Sequence, residues 1–254
     1  MKNLIRILAC ILITCGVSVT NYATDNTLTE LEKSQGFKLL FDGKTLNGWA
    51  GLKDYWTVRS NAIVGRTTKE KPLKENSFLV YVAEEFGDFE LRLKFKTIPD
   101  NDSGFANSGI QYRSKLVNSD VFIMAGYQAD IDAGTNYTGI LYEERGRGIL
   151  ALRGQKVVIR DDAASSGKFK IDVTGTTASA AEVESAINKT DWNDYVIIAR
   201  GRNLKHFING KLAVDVTDES SGAALKGLIG LQIHVGQPMQ VMFKDIRIHQ
   251  LSTY

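Results

Sequence analysis

The sequence predicts an all-β protein, namely a single β-sandwich of antiparallel sheets with one or two short helices. Apolar and polar residues alternate with a period of two over most of the chain from Phe37 onward, as in strands with one buried face. Short clusters of turn residues separate these runs, and no internal repeat or Pro-rich linker divides them. A chain of 254 residues with 43% hydrophobic content is long enough for one large domain of this kind.

The first 23 residues are expected to be a secretory signal peptide. Two basic residues precede and interrupt an apolar stretch over 4–19, which is too short for a membrane-spanning helix. The run LITCG at 12–16 resembles a lipobox with Cys15 as the lipidated residue, and cleavage after Ala23 is the alternative. The protein is therefore expected to be exported, either as a periplasmic protein or as an outer-membrane lipoprotein anchored in the membrane through Cys15.

The cysteine count and the net charge indicate which classes of ligand the protein is expected to bind. Cys10 and Cys15 are the only cysteines, so the exported domain has no disulfide. Removing the two basic residues of the leader leaves 29 basic and 29 acidic residues, a net charge of zero. A neutral chain without a basic tail is a poor candidate for nucleic-acid binding, and a small carbohydrate is the ligand that fits better.

The elements can be predicted in chain order. Residues 24–36 are polar and are expected to form an exposed tether to a sandwich domain over 37–254. Alternation over 88–96 is unbroken, and Asn209-Gly210 predicts a two-residue hairpin. The capping-box pattern SAAE at 179–182 predicts a short helix that ends near Ile187. Further strands are predicted at 55–59, 61–66, 77–83, 108–114, 156–160, 168–174, 192–200, 203–208, 211–216, 227–234 and 239–250.

Polar residues also occur in rows on these strands. In the run NSGIQYRS at 107–114, alternation places Gln111 and Arg113 side by side on one face. Their donors suit sugar hydroxyls or a carboxylate, although a solvent-exposed strand face is an equal alternative. Gln232 and His234 share a face at the end of an apolar strand, where a histidine can enter a pocket and titrate near neutrality. His206, beside the hairpin, is expected on the strand surface.

The run GYQADIDAGTNYTGILYEERGRG at 126–148 is the strongest candidate. Gln128, Asp130 and Asp132 share one face at about 6–7 Å per two-residue step. Two carboxylates at that spacing favour a raised pKa and proton transfer, or a divalent cation such as calcium. A solvated polar turn is the alternative.

After the turn in this run, the sequence offers further ionisable candidates. Glu143 and Arg145 are expected to alternate onto one face, with Glu144 on the other. Glu143 is then a candidate acid or base. Tyr142 and Arg145 are candidate substrate-binding residues.

Several short motifs in this order resemble the 3-keto-disaccharide hydrolase family. They are FKLLFDGKTLNGW at 37–49, GDFEL at 87–91, NSGI at 107–110, the Asn209-Gly210 pair, and GLQIH at 230–234. The resemblance covers about residues 36–251 and implies a concanavalin A-like jelly-roll sandwich, secreted or periplasmic and often lipid-anchored. One departure stands out: many members carry Tyr-Glu-x-Gln-Ile where this chain has YQADI at 127–131, so the acid lies two places later on the same face.

The resemblance also implies an activity, the cleavage of glycosides already oxidised to a ketone at sugar carbon 3. A base removes the proton on carbon 2, the group on carbon 1 leaves, and water adds to the enone. Such chemistry requires a base, an acid and stabilisation of the enolate by a cation or a metal.

For this chemistry we expect Asp130 or Glu143 to be the base. We expect Asp132 and His234 to be partner acids or metal ligands, and Arg113 with Arg145 to stabilise the enolate. Two alternatives remain open. One is direct hydrolysis of an ordinary glycoside by the carboxylate pair Asp130 and Glu143. The other is a lectin-like module that binds sugars without turnover.

Overall fold

The computed structural model describes residues 25–134, 136–165 and 167–252 and confirms the all-β sandwich. The predicted signal peptide and Cys15 lie outside these residues. Within them no helix is long and apolar enough to span a bilayer. The elements are β1 (Lys38–Leu39), β2 (Trp49–Ala50), β3 (Trp56–Arg59), β4 (Ala62–Arg66), β5 (Ser77–Phe86), β6 (Phe89–Pro99), β7 (Asn107–Asn118), β8 (Ile123–Asp132), β9 (Leu141–Glu144), β10 (Gly148–Ala151), β11 (Gln155–Asp161), β12 (Phe169–Thr176), β13 (Asn193–Arg200), β14 (Asn203–Ile208), β15 (Lys211–Asp218), β16 (Gly227–Ile233) and β17 (Met239–Gln250), with helices α1 (Glu30–Ser34) and α2 (Ala180–Ala186).

Two sheets form the sandwich. The ten-stranded sheet runs in the order β12-β11-β15-β14-β13-β6-β17-β4-β3, with β1 paired to β17. The seven-stranded sheet runs β10-β9-β8-β7-β16-β5-β2. Neighbouring strands are antiparallel except for β11 and β15, which are parallel. The buried apolar residues of both sheets form one large cluster between them, so alternation on each strand separates a core face from an outer face.

The local predictions for the hairpin and the helix are confirmed. Asn209 and Gly210 have φ values of 46° and 78° and connect β14 to β15, as a type I′ turn requires. Ser179 caps α2, and its side chain exchanges hydrogen bonds with Glu182 in a complete capping box. Both features depend on a few adjacent residues, which is why the sequence was sufficient to predict them.

His206 lies in the core and not on the strand surface, contrary to the expectation from the sequence. Its ring lies between Tyr112 and Tyr195, with Nε2 2.9 Å from the Tyr112 hydroxyl and Nδ1 3.2 Å from the Ile140 carbonyl. Burial lowers the pKa of His206 to about 3, so the imidazole is neutral and serves packing.

The segment before the sandwich also differs from the exposed tether that was expected. Thr29 caps the one-turn helix α1 in a second capping box. The buried carboxylate of Glu32 accepts a 2.5 Å hydrogen bond from Arg247 of β17. Asn26 accepts a 2.9 Å bond from the backbone of Asp245. A single helical turn is too short to show periodicity, so only these tertiary contacts reveal that the segment is docked.

Replacing Glu32 by alanine is expected to lower the free energy of unfolding by about 1–3 kcal/mol, because it leaves Arg247 without its buried acceptor. Equilibrium urea denaturation measures the change. Glu30→Ala is the matched control, because that carboxylate is 91% exposed and contacts only Lys33. Equal effects of the two substitutions would contradict the docked arrangement.

Candidate active site

A cleft of about 440 Å³ lies on the outer face of the seven-stranded sheet. The apolar core-facing residues of β7, β8, β9 and β16 belong to the apolar cluster, and the residues that alternate with them around the cleft are polar. Loops around the sheet supply the walls. The cleft is lined by Asn76, Phe105, Asn107, Gln128, Asp130, Tyr137, Ile140, Tyr142, Glu144, Ile149, Gln232 and His234.

Strand pairing builds the floor of the cleft. Gln128 of β8 lies opposite Gln111 of β7 on one side and opposite Tyr142 of β9 on the other. Residues directly opposite each other in a sheet project from the same face. Asp130 follows Gln128 by two residues and therefore projects with it. The structure thus brings Gln128, Asp130 and Tyr142 together, as the sequence predicted, with Gln232 of β16 beside them.

Asp130 is the most perturbed carboxyl of this floor. Its side chain is buried, and Oδ1 accepts a 3.0 Å hydrogen bond from Gln128 Nε2. Burial raises the pKa of Asp130 to about 7, and the charges of Asp132 and Glu144 add to the effect against the opposing bond from Gln128. Near neutral pH the group can therefore both accept and release a proton, as general acid–base catalysis requires.

Glu144 is the second carboxyl in the cleft, where the sequence predicted Glu143 instead. Burial raises the pKa of Glu144, while a 3.4 Å hydrogen bond from the Asn76 amide and the charge of His234 act against the rise. Two carboxyls and one imidazole, those of Asp130, Glu144 and His234, thus line one cleft.

His234 lies at the cleft end of β16, as predicted. Its Nδ1 contacts the Val235 carbonyl and its ring packs edge-on against Phe105 at 5.7 Å. These contacts hold the imidazole at the end of the cleft that contains Phe105.

Glu143, the predicted acid or base, points away from the cleft. Its carboxylate accepts bonds of 2.6 and 3.0 Å from Arg147, whose guanidinium also donates to Asp218 at 2.7 Å. Alternation correctly places Glu143 and Glu144 on opposite faces. Which of them faces the cleft depends on the pairing of Tyr142 with Gln128, and that register is a tertiary property.

Arg113 does not reach the cleft either. The register of β7 and β8 shifts between Tyr112 and Lys115, and Arg113 has a φ of 47°. This bulge reverses the alternation and turns Arg113 into a buried site, where it donates to Asp88 at 2.8 Å and to the Gly87 carbonyl at 2.8 Å. Its position therefore does not support the predicted role beside an enolate.

Arg145 and Asp132 are likewise used elsewhere. Arg145 lies in the β9–β10 turn with a φ of 51° and forms an exposed ion pair with Glu75 at 2.5 Å. Asp132 Oδ1 accepts hydrogen bonds from the Thr138 amide at 2.8 Å and its hydroxyl at 2.9 Å. Asp132 therefore stabilises the turn after β8 and does not form the predicted metal pair with Asp130. Within the described residues, no group of three or more His, Cys, Asp or Glu side chains is arranged to bind a metal ion.

The two remaining predicted residues have different positions. Gln111 is fully buried and contacts Gln128 from behind, so it supports the floor without lining the cleft. Gln232 lines the cleft, and its Oε1 has no hydrogen-bond partner among the described residues. A buried acceptor of this kind costs stability unless a ligand donor satisfies it. Since the described lining includes no lysine or arginine, the site suits a neutral polyhydroxy ligand.

The comparisons with known proteins agree with this geometry. A model of the 3-keto-alpha-glucoside-1,2-lyase-like domain matches residues 36–249. The chain is 25% identical to a 3-keto-disaccharide hydrolase of Bacteroides thetaiotaomicron over 86% of this chain and 80% of the relative. A Parabacteroides distasonis protein assigned as a glycosyl hydrolase superposes with a TM-score of 0.60 at 19% identity, over 90% of this chain and 100% of its own. A second protein of this kind from the same organism superposes with a TM-score of 0.53 at 17% identity, over 85% of this chain and 99% of its own.

The family match spans most of the chain and confirms the resemblance drawn from the short motifs. The chain belongs to the family of 3-keto-alpha-glucoside-1,2-lyase-like domains, and its function is carbohydrate-active, of the glycosyl hydrolase kind.

Proposed function

We propose that this protein is an exported enzyme that cleaves 3-keto-glycosides by removal of the proton on carbon 2, elimination of the group on carbon 1, and hydration. One observation carries the proposal: Asp130, Glu144 and His234 line one cleft in which both carboxyls have raised pKa values. Perturbed carboxyls in a cleft are characteristic of acid–base sites. Family membership supplies the class of substrate.

Asp130 is the base in this proposal. In its carboxylate form it removes the proton on carbon 2, which the neighbouring ketone has made acidic. A pKa of about 7 makes Asp130 a stronger base than an exposed aspartate, while a large fraction stays ionised near neutrality. The hydrogen bond from Gln128 to Oδ1 orients the carboxylate towards the cleft floor.

Glu144 acts as the acid, with His234 as its partner. As the bond between carbon 1 and the leaving oxygen breaks, Glu144 donates a proton to that oxygen. Burial keeps Glu144 protonated to a higher pH than usual. Water then adds to carbon 1 of the enone, its proton returns to Glu144, and Asp130, after exchanging its proton with solvent, protonates carbon 2. The enzyme is thereby restored and the net reaction is hydrolysis.

The enolate oxygen requires a donor, and Tyr142 is the side chain of the cleft best suited to this role. Burial, together with the charges of Glu144 and Asp130, raises the pKa of Tyr142. Its hydroxyl is therefore protonated throughout the physiological range and can donate a hydrogen bond to the developing charge. A neutral donor replaces the arginine pair that the sequence suggested.

Turnover in D₂O is the experiment that tests this function. The purified protein is incubated with matched plain and 3-oxidised glycosides, and NMR follows both aglycone release and the proton on carbon 2. Release from the 3-keto substrate alone, with deuterium appearing at carbon 2 of the product faster than in an enzyme-free control, is the expected result.

Two other outcomes would replace the proposal. Release from the plain glycoside with carbon 2 still protonated would indicate direct hydrolysis by a carboxylate pair, which would be Asp130 and Glu144. Saturable binding of both glycosides without release of the aglycone would indicate a lectin-like module.

A further inference from the structure

Behind Asp130 lies a chain of buried polar side chains that begins away from the cleft and ends at its floor. Ser114 Oγ donates to Gln111 Oε1 at 2.6 Å. Gln111 Nε2 donates to Gln128 Oε1 at 2.8 Å, and Gln128 Nε2 donates to Asp130 Oδ1 at 3.0 Å. Ser114 and Gln111 are both buried and neither lines the cleft. Three hydrogen bonds therefore connect the buried Ser114 to the proposed base.

The direction of this chain is determined at its serine end. The other oxygens within hydrogen-bonding distance of Ser114 Oγ are the carbonyls of Tyr112 at 3.0 Å and Tyr127 at 3.2 Å. The hydroxyl has one proton, and its nearest acceptor is Gln111 Oε1 at 2.6 Å, so Ser114 donates to Gln111. An amide held by its oxygen presents its NH₂ group to the next residue. Donation by Ser114 thus fixes which end of the Gln111 amide faces Gln128. Gln111 in turn fixes which end of the Gln128 amide faces Asp130.

A second donor reaches the chain at Gln128 and supports the same direction. Gln232 Nε2 donates to Gln128 Oε1 at 3.1 Å. The same Nε2 lies 3.5 Å from Glu144 Oε2, so the Glu144 carboxylate also holds the Gln232 amide in this orientation. Ser114 and Gln232 therefore support the same orientation of the Gln128 amide, Ser114 through Gln111 and Gln232 directly.

The backbone is shaped to hold this chain. The β7 bulge at Arg113 reverses the alternation and so places Ser114 on the outer face beside Gln111. Gly109 provides room for the Gln128 side chain, because a Cβ there would lie 2.5 Å from Gln128 Cδ. Gly126 does the same for Ser114, since a Cβ would lie 2.5 Å from its Oγ.

We propose that Ser114 and Gln111 are positioning residues, which fix the amide order of Gln128 so that Asp130 meets an N–H group and never a carbonyl oxygen. The inference rests on the proposed role of Asp130 as base. An N–H donor stabilises the carboxylate, whereas a rotated Gln128 would present its oxygen and stabilise the protonated acid. The relay from Ser114 thus maintains the form of Asp130 that can remove a proton.

Other ionisable groups near Asp130 stay in place when the relay is broken. Asp132 on the same strand and Glu144 on β9 both raise the pKa of Asp130. Tyr142 on β9 and Tyr195 in the core also interact with its charge. None of the four belongs to the relay, so a change in the Asp130 titration after substitution of Ser114 reports on Gln128.

Ser114→Ala and Gln111→Met test the relay. Titration of ¹³C-labelled aspartate carboxyls by NMR, with the Asp130 signal assigned by its loss in Asp130→Asn, gives the pKa directly and without substrate. Both variants are expected to raise the Asp130 pKa by about one unit, the effect of losing one hydrogen bond to a charged group. With a 3-keto-glycoside, kcat/KM should fall about tenfold near pH 6 and recover near pH 9.

Ser108→Ala is the matched control, because Ser108 is a buried serine of the same strand that donates only to the Gln232 carbonyl, at 2.6 Å. It should leave the Asp130 pKa and the pH profile unchanged. An unchanged Asp130 pKa in folded Ser114→Ala and Gln111→Met overturns the relay, whether or not the protein turns over glycosides. A raised pKa in a protein without turnover of 3-keto-glycosides leaves the relay standing and overturns the proposed function instead.

Discussion

Asp130→Asn is expected to lower kcat on a 3-keto-glycoside by about 10²–10⁴-fold, the usual contribution of a general base. Asparagine has nearly the same shape and can still accept the Gln128 bond at Oδ1, so the cleft should keep its geometry. Steady-state kinetics at saturating substrate measures the loss. A variant that retains wild-type kcat would remove Asp130 from the mechanism.

The same substitution is expected to stabilise the fold above neutral pH. The pKa of Asp130 is raised from 3.8 to about 7 in the folded protein, so burial of its charge costs stability progressively as pH rises through this interval. Asparagine removes that cost. Thermal or urea denaturation should find Asp130→Asn more stable by on the order of 2–4 kcal/mol near pH 8, and equal to wild type below about pH 4.

Asp132→Asn is the control for both measurements. It removes a carboxylate two residues further along β8, which binds the 136–138 turn rather than the cleft floor. It should lower stability at neutral pH and leave kcat close to that of wild type. A kcat loss equal to that of Asp130→Asn would show that both carboxylates act in the reaction.

Arg113→Leu is expected to destabilise the protein by about 3–5 kcal/mol, because it removes a buried guanidinium and the donor to a half-buried carboxylate and three backbone carbonyls. Arg113 is 1% exposed. It donates to the Asp88 carboxylate and to the carbonyls of Gly87, Gly201 and Ala224. Its loss therefore leaves one carboxylate and three backbone carbonyls without the hydrogen bonds that the guanidinium donates. Equilibrium urea denaturation measures the free energy of unfolding.

The matched control is Arg145→Leu, which removes an ion pair with Glu75 in which both side chains are 46% exposed. Such pairs contribute at most about 1 kcal/mol. Kinetics on the folded fraction separates the two interpretations of Arg113. A large kcat loss with unchanged stability would restore its predicted place beside the enolate.

The displaced acid of this chain has a simple structural interpretation. The family resemblance implies an acid at the position of Gln128 and an amide at that of Asp130. Both positions face the cleft, and here the two side chains are hydrogen-bonded at 3.0 Å. Exchanging them therefore preserves an acid–amide pair while moving the carboxyl along the floor. This arrangement therefore favours a base that lies at a different position relative to the sugar.

Much of the fold and part of the site were determined by the sequence alone. Period-two alternation predicted most of the long strands because each reflects a buried face along a few consecutive residues. The Asn209-Gly210 hairpin and the capping box of α2 are equally local. On β8, alternation also placed Gln128 and Asp130 on one face, and this face is the cleft floor.

Tertiary structure decided what alternation cannot specify. The bulge at Arg113 exchanged that residue for Ser114 on the outer face. Pairing of Tyr142 with Gln128 selected Glu144 over Glu143 for the cleft. Alternation relates residues within one uninterrupted strand, whereas bulges and strand register arise from contacts between segments distant in sequence. The sequence therefore determined which strands form and which faces are polar, and only the packed sheets decided which carboxyls meet.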